Sequence, residues 1–261
     1  MEKHIFAICA YGESEYLEEC ILSLKRQTRP SKIILATSTP NEHMDRLCTK
    51  YEIPVYINNG EHGITQDWNY AYAHAKAEYV TIAHQDDIYC ENYAENVKQL
   101  LEKAKKPIIF FSNYGEIRDG KKIDKNKLLS IKRIMLFPLR MKILMNSRFV
   151  RRRILSLGSA ICCPSVTFVK KNCPDVVFKH GYRADEDWEA WEMLSKRKGA
   201  FVYCKDVVMY HRIHEESETT KILGNKARTR EDFEMFQKFW PTPVAKVLTK
   251  IYGTSEKSND L

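Results

Sequence analysis

Short hydrophobic runs alternate with segments of helical periodicity along the first 112 residues. Runs rich in β-branched and aromatic residues predict strands at residues 4–10, 32–37, 55–58, 79–83 and 108–112. Between them, apolar residues recur at helical spacing, as Leu17 and Ile21 do after a candidate cap at Ser14. A later helix is predicted over 92–104. This alternation predicts an α/β fold with a mainly parallel sheet between two layers of helices.

The rest of the chain interrupts this pattern and then resumes it. Residues 159–169 return to the sheet, a helix is predicted over about 185–197, and strands near 201–203 and 207–210. A terminal helix includes Phe233, Phe236 and Trp240. We therefore divide the chain into segments 1–114, 115–158, 159–221 and 222–261.

Composition changes this picture only slightly. The longest charge-free run, residues 154–169, has 16 residues, and a bilayer span needs roughly 20 apolar ones. The first ten residues lack a long apolar core, so we expect no cleaved signal peptide. The eight cysteines form no CxxC pair, which favours buried thiols in a reducing compartment. We expect a cytoplasmic protein.

Positive charge is concentrated in residues 118–153, which we call the basic arm. The arm holds 13 Lys and Arg against two Asp, a net charge of +11, so the rest of the chain carries −3 of the total of +8. Pro138 predicts two short helices. The apolar residues that roughly share a helical face are Leu128, Ile131, Met135, Leu139, Ile143 and Leu144.

Two interpretations of the basic arm stay open. Its helices could pack on the domain with a solvated basic face, or lie on an anionic membrane surface as an amphipathic segment. A nucleic-acid partner is not expected, because the arm lacks the interleaved aromatic residues of a single-strand platform.

Polar side chains follow three predicted strands where each strand ends. They are Tyr11, Gly12 and Glu13 after the first strand, Thr37, Ser38 and Thr39 after the second, and His84, Gln85, Asp86 and Asp87 after the fourth. Ligands of parallel sheets bind beyond these carboxyl ends. Adjacent carboxylates repel each other, so they are favourable in solvent or around a hard divalent cation such as Mg²⁺ or Mn²⁺.

Two later clusters could also carry chemistry. Acidic residues at 185–192 suit the positive end of a helix, and one of them could serve as a general base. His211, Arg212 and His214 end a strand, where they could contact a diphosphate or a metal ion.

Four stretches, in order, resemble inverting family 2 glycosyltransferases of the GT-A fold, of the type that builds bacterial surface polysaccharides. They are AYGESEYLEECILSLKRQT, HGITQDWNYAYAHAKAEYVTIAHQDDIY, DEDWEAWEML and YHRIHEES. The resemblance implies a Rossmann-like sheet with a basic helical insertion at 115–158 and a helical extension at 222–261. It also implies that 1–114 bind the nucleotide sugar and that 159–221 form the acceptor and catalytic half.

The resemblance also implies roles for individual residues. Asp187, or else Glu186, would be the catalytic base. The metal ligands for Mn²⁺ or Mg²⁺ would be Asp86, Asp87 and His214. The donor-binding residues would be Ala10, Tyr11, Gly12, Glu13, Thr37, Ser38, Gly63, Asn69, His84, Gln85, His211 and Arg212.

The sequence departs from the family pattern at three places. Thr37 and Ser38 stand where an acidic pair usually contacts the base, His84 replaces the first acid of the metal loop, and Trp68 replaces a frequent arginine. The implied reaction moves a sugar from a nucleotide-sugar donor, with a UDP-sugar favoured, to a hydroxyl of a glycan or lipid-diphosphate-linked acceptor. Inversion follows from a single displacement, and the protein could be peripheral at the inner face of the plasma membrane.

A zinc-dependent N-acetylsugar deacetylase is the alternative. AHQDD resembles the AHPDD motif of that family, and His211 with His214 reproduces its HxxH spacing. Against it, three βα units precede the motif here, and Gln85 and Ile88 replace two of its usual residues.

Overall fold

The computed structural model of the protein describes residues 2–214 and 226–257. Within these ranges, nine strands form one sheet in the order β3-β2-β1-β4-β8-β6-β9-β5, with β7 paired to β6. The strands are β1 Glu2–Ala10, β2 Lys32–Thr37, β3 Val55–Ile57, β4 Ala77–His84, β5 Ile88–Tyr89, β6 Pro107–Arg118, β7 Lys121–Ile123, β8 Val166–Val169 and β9 Ala200–Ile213.

Helices connect these strands and cover both faces of the sheet. They are α1 Leu17–Lys25, α2 Glu42–Tyr51, α3 Ile64–His74, α4 Tyr93–Glu102, α5 Lys127–Leu136, α6 Lys142–Met145, α7 Arg148–Leu155, α8 Glu186–Ser195, α9 Lys226–Gln237 and α10 Thr242–Lys257. In the described part of the chain, no helix combines the length and the apolar character needed to cross a membrane.

The sheet is parallel where the sequence predicts it to be. β3, β2, β1 and β4 pair in parallel, and so do β6 and β9. β8 runs antiparallel between β4 and β6. β6 extends six residues beyond the predicted strand end at 112, so it runs through the boundary we set at residue 114. The two strands predicted near 201–210 are one strand, whose register with β6 shifts after Ser112.

Side chains of β1 alternate between two buried clusters, as the pleat of a strand requires. Phe6 and Ile8 pack in the cluster that includes residues of α1, α2 and α4. Ile5 and Ala7 pack in the cluster that includes residues of α3 and α8. The sheet is therefore buried on both faces, and its carboxyl edge is where polar groups can collect.

Side chains cap some of the helices at their starts. The side chain of Asn41 caps α2 by accepting from Met44 N at 2.9 Å, and Asn126 caps α5 by accepting from Leu129 N at 2.8 Å. The prediction that Ser14 caps α1 is wrong, because α1 begins at Leu17 and Tyr16 holds the N-cap position.

The basic arm does not form the two helices predicted for it, and its apolar residues do not share one face. α5 ends at Leu136, a 3₁₀ turn follows over Phe137–Arg140, and α6 and α7 come after it. The predicted apolar face is wrong as a single surface, because Leu139 is buried while Ile131 and Ile143 are exposed. Leu128, Met135 and Leu144 are half-buried. Packing on the rest of the protein therefore buries some of these residues and leaves others in solvent.

One arginine of the basic arm belongs to the core. Arg151 is buried, and its guanidinium donates to the backbone carbonyls of Ser195, Arg197 and Gly199. It also lies over the ring of Phe201 at 4.7 Å. Its burial lowers the pKa of Arg151 to about 10. Arg151 therefore holds the end of α8 and is not a surface charge.

Candidate functional site

The carboxyl ends of β1, β2 and β4 form an edge of hydrogen-bonded polar groups, which we call the ligand edge. Gln85 joins the loop after β4 to the loop after β1, since its amide accepts from Tyr11 N at 3.2 Å and donates to Tyr11 O at 2.8 Å. Gly12 N donates to Thr39 Oγ1 at 2.7 Å. The Tyr11 ring remains exposed. The edge is thus preorganised, with an aromatic ring left open to a ligand.

Three side chains after β4 form a candidate cation site. Ligand atoms of His84, Asp86 and Asp87 all lie within 4.8 Å of one another. His84 Nε2 and Asp87 Oδ2 are among the buried polar atoms of the described ranges that have no hydrogen-bond partner. Two carboxylates with an imidazole suit Mn²⁺ or Mg²⁺. The residues therefore fit a divalent ion, and the two unpartnered atoms are where it would gain ligands.

Residues at the end of β9 hold the carboxylates of this loop. His211 Nδ1 lies 2.9 Å from Asp87 Oδ1, which also accepts from Arg212 N. His214 Nε2 lies 3.0 Å from Asp86 Oδ2, so it contacts a candidate ligand and stands outside the group of three. Burial opposes charge on His211, but the charge of Asp87 prevails and raises the pKa of His211 to about 9.

The Arg212 side chain supports the loop from behind. Its Nε donates to Asp86 O at 2.9 Å and an Nη donates to Glu19. The guanidinium lies 4.3 Å from the Tyr16 ring. The guanidinium of Arg212 is therefore bound to groups of the protein itself, whereas the resemblance implied that it contacts the donor.

Asp67 on α3 is a member of the ligand edge that the sequence did not reveal. Its carboxylate accepts from Ser38 Oγ at 2.7 Å and from Asn58 Nδ2 at 2.8 Å. Asp67 therefore supplies a buried negative charge beside Thr37 and Ser38, where the family usually has acids. No local signal distinguishes it, because Asp67 also suits the first turn of a helix.

Two other residues that were predicted to bind the donor, Asn69 and Gly63, have structural roles. The amide of Asn69 donates to Phe178 O and accepts from the backbone N–H groups of Val177 and Phe178, so it ties α3 to that loop. Gly63 caps α3 at a φ of 142°, where a Cβ would lie 2.6 Å from the Gln66 side chain. The structure brings neither a free amide nor a side chain to the ligand edge at these positions.

Trp68 occupies the place of the frequent family arginine. Its ring stacks on His84 with centroids 5.1 Å apart and planes at 18°, and it packs edge-on against Phe178. Burial lowers the pKa of His84, although Asp87 opposes the shift. Trp68 thus orients a neutral imidazole at the candidate cation site.

The acidic motif lies at the start of α8. Asp187 is half-buried, and Glu186 is buried. Burial raises the pKa of Asp187 to about 6, and the nearby positive charges of Lys132 and Arg228 limit the rise. A carboxylate in this range is ionised at neutral pH and still basic enough to accept a proton.

Charges from α8 and from the candidate cation site both act on the Cys162–Cys163 segment. Burial raises the pKa of the Cys163 thiol well above its usual range, and the charges of Asp187 and Asp87 add to the shift. The same two carboxylates raise the pKa of Cys162 in addition to its burial. The charges of two carboxylates that the sequence separates by 100 residues therefore both act on this one short segment.

The two ends of α8 are held by distant residues. At its start, the Glu231 carboxylate on α9 accepts from the backbone N–H groups of Arg183, Ala184 and Asp185 at 2.8–3.3 Å. At its end, Arg151 binds the last carbonyls. These contacts fix the direction in which α8 presents Asp187, and sequence reasoning missed both.

Comparison with known proteins identifies the family. The profile of Glycosyl transferase family 2 matches residues 5–175, which cover β1 to β8 and the ligand edge. The chain belongs to this family. The glycosyltransferase GlyG of Streptococcus pneumoniae serotype 4 is 27% identical over 114 residues, which are 41% of this chain and only 38% of GlyG.

Solved structures show that this family 2 chain has the GT-A fold, as the sequence predicted. Residues 1–349 of S. aureus TarS with UDP-GlcNAc match at a TM-score of 0.63 and 13% identity, covering 95% of this chain and 70% of that 1–349 chain. Mannosyltransferase PcManGT from Pyrobaculum calidifontis, with GDP-Man and Mn²⁺, matches at a TM-score of 0.63 and 13% identity. The match covers 96% of this chain and 69% of the PcManGT chain.

A third structure has the same fold. The glucosyl-3-phosphoglycerate synthase of Mycobacterium tuberculosis, with Mn²⁺ and UDP, matches at a TM-score of 0.57 and 15% identity, covering 87% of this chain and 77% of the synthase. Nothing in these comparisons supports the deacetylase alternative.

Proposed function

We propose that this family 2 chain is an inverting glycosyltransferase that uses a divalent cation, Mn²⁺ or Mg²⁺, and a nucleotide-sugar donor. The observation that carries the proposal is the group formed by His84, Asp86 and Asp87, whose ligand atoms lie within 4.8 Å of one another at the ligand edge. An ion bound there would neutralise negative charge on the departing nucleoside diphosphate.

Asp187 is the proposed general base. It stands at the start of α8, and its charge acts on the same Cys162–Cys163 segment as the charge of Asp87, which supports a sugar bound between the two carboxylates and attacked from the α8 side. Asp187 would take the proton of the acceptor hydroxyl as the new glycosidic bond forms and the bond to the diphosphate breaks. Attack opposite the leaving group inverts the anomeric carbon. Glu186 remains the second candidate for the base.

The donor is proposed to be a UDP-sugar. Tyr11, exposed at the end of β1, can cover the base, and the Ser38, Asn58 and Asp67 network offers polar groups beside it. His211, protonated at neutral pH according to its raised pKa, adds positive charge near the diphosphate. Ala10, Gly12, Glu13 and Gln85 are likewise proposed to bind the donor at this edge.

The acceptor is proposed to be a glycan or a lipid-diphosphate-linked sugar in surface polysaccharide synthesis. The basic arm follows the donor half of the fold, and its charge suits an anionic membrane on which such an acceptor would lie. We therefore propose a cytoplasmic enzyme that contacts the inner face of the plasma membrane through residues 118–153.

Thermal stabilisation by a panel of UDP- and GDP-sugars, with and without Mn²⁺, tests the donor and the metal together. A ligand at a hundred times its dissociation constant adds about 2.7 kcal/mol to the free energy of unfolding. Asp86→Ala should lose the Mn²⁺-dependent part of this shift, while the exposed control Asp45→Ala keeps it. Stabilisation that is the same with and without Mn²⁺ would contradict the cation site, and product NMR showing a retained anomeric configuration would contradict inversion.

A further inference from the structure

Large apolar side chains at the surface are concentrated in two segments. Thirteen are exposed in the described part of the chain, and ten of them lie between residues 131 and 157 or on α10. Those of the first segment are Ile131, Ile134, Phe137, Met141, Ile143, Phe149 and Leu157, and those of α10 are Val244, Val247 and Ile251. Scattered exposure is ordinary in proteins, whereas a concentration marks an interaction surface.

The two segments touch each other. Trp240, just before α10, donates from Nε1 to Ser156 O at 2.7 Å, and the Arg153 guanidinium lies over the Trp240 ring at 4.9 Å. On α10 itself, Tyr252 packs on Gly158, where a Cβ would lie 2.6 Å from the Tyr252 ring. The end of the first segment is therefore joined directly to α10.

α10 carries apolar side chains on its exposed side as well as on its packed side, where Leu248 and Tyr252 contact the core. Ala245 and Thr249 are buried against the protein. Val244, Val247 and Ile251 follow the spacing of one helical stripe and are 41%, 59% and 61% exposed. This apolar stripe has no covering element in the described ranges, although a solvated helix would place polar residues there.

Positive charge predominates in the sequence of both segments. Residues 127–157 and 238–253 contain no Asp or Glu. Exposed cations accompany the apolar side chains in both segments, namely Arg140, Lys142, Arg148, Lys246 and Lys250. A second copy of the chain would bring like charges together across a two-fold interface, whereas an anionic bilayer offers both negative headgroups and an apolar interior.

We propose that α10 and the segment 131–157 form one lipid-docking surface for a bilayer of anionic phospholipid. This inference rests on the proposed membrane contact of the basic arm and adds α10 as its second half. Exposed apolar side chains of both segments enter the headgroup boundary, while the lysines and arginines contact the phosphates. Docking by two joined elements also orients the enzyme on the membrane, which a single basic arm would not do.

Flotation of the full chain with vesicles tests the role of α10. Wild-type protein should float with phosphatidylcholine vesicles that contain phosphatidylglycerol, and binding should weaken with salt. Val247→Ser with Ile251→Ser should lower binding about tenfold without any change of charge. Lys246→Gln with Lys250→Gln should lower it about fivefold per charge. Matched controls on other surfaces, Val176→Ser and Lys103→Gln with Lys105→Gln, should keep wild-type binding.

A variant of the first segment, Ile134→Ser with Ile143→Ser, separates this inference from the proposal on which it rests. Loss of binding in both apolar variants supports the joint surface. Loss in the 134 and 143 variant alone overturns the role of α10 and leaves the arm as the membrane contact. Equal flotation with pure phosphatidylcholine, or none with anionic vesicles, overturns both. Nucleotide-induced thermal shifts should stay at wild-type values in every variant, because none of these residues lies at the ligand edge.

Discussion

The ligand edge and the proposed lipid-docking surface differ in whether their side chains already have partners within the protein. At the ligand edge, polar groups are hydrogen-bonded to one another, as Gln85 is to Tyr11 and Asp67 is to Ser38. At the docking surface, apolar side chains such as Ile143 and Phe149 are 76% and 74% exposed. The first region has its geometry fixed before a ligand arrives. The second gains stabilising contacts only against another phase.

Helix α8, which carries Asp187, belongs to neither region and is held at its start by Glu231 and at its end by the buried Arg151. Substitutions at the ligand edge and around α8 should therefore change rate or stability. Substitutions on the docking surface should change where the protein is found.

The largest effect is expected from Asp187→Asn. Removing a positioned general base typically lowers the rate by about 10² to 10⁴, because the amide cannot take the proton of the acceptor hydroxyl. Steady-state turnover should fall by this factor while donor affinity and vesicle binding stay unchanged. The exposed Asp175→Asn is the control. If Asp187→Asn keeps wild-type turnover and Glu186→Gln loses it, the general base is Glu186 and not Asp187.

Arg151→Met tests whether one residue of the basic arm behaves as a core residue. The substitution keeps the aliphatic volume but leaves three carbonyls without their charged donor, so the free energy of unfolding should fall by about 3 kcal/mol. Urea denaturation measures the loss. Arg153→Met, from the half-buried neighbour, should lose less than about 1 kcal/mol. Equal midpoints for the two variants would remove the distinction between core and surface charges in the arm.

Glu231→Gln should lower the catalytic rate although Glu231 lies outside the ligand edge. The neutral amide is a weaker acceptor for three backbone N–H groups, and a charged hydrogen bond contributes about 1.5–3 kcal/mol. We expect kcat to fall about tenfold with little change in donor KM, since Glu231 positions α8 and the ligand edge is intact. Glu231→Asp, which keeps the charge, should recover part of the rate. The matched control is Glu234→Gln, from a half-buried residue of the same helix that pairs with Arg230. A raised donor KM without a fall in kcat would contradict a positioning role.

The pH profile is expected to follow Asp187. A general base must be ionised, and burial raises the pKa of Asp187 to about 6, above the ordinary value for aspartate of about 3.9. Because the raised pKa keeps the proton bound up to a higher pH, kcat/KM should be level above about pH 7 and fall tenfold per unit below about pH 6.

Lys132→Gln sharpens this prediction, because it removes a charge that lowers the pKa of Asp187. The inflection should therefore move to higher pH in the variant. An inflection near pH 4 in the wild type, or one that Lys132→Gln leaves in place, would show that another group controls the profile.

Hydrophobic periodicity and strand-end chemistry were sufficient for the main features of the fold. The five strands predicted before residue 113 are present, and Asp86 and Asp87 lie beyond the carboxyl end of β4. Local patterns failed where long-range pairing prevailed. β6 continues past residue 112 because β9 offers it a partner up to Arg118, and the register shift lets two predicted strands become one.

What the sequence determined by itself is the family, the order of the elements and the residue types of the candidate site, since each depends on local spacing. Tertiary structure decided the rest. Asp67 joins the ligand edge, Glu231 and Arg151 hold α8, and α10 meets the segment 131–157 only because the chain folds back on itself. The apolar periodicity of a helix says that one stripe will be buried somewhere, but the protein surface that receives the stripe is built from residues far away in the chain. For that reason the exposed stripe of α10 became visible only in the folded protein.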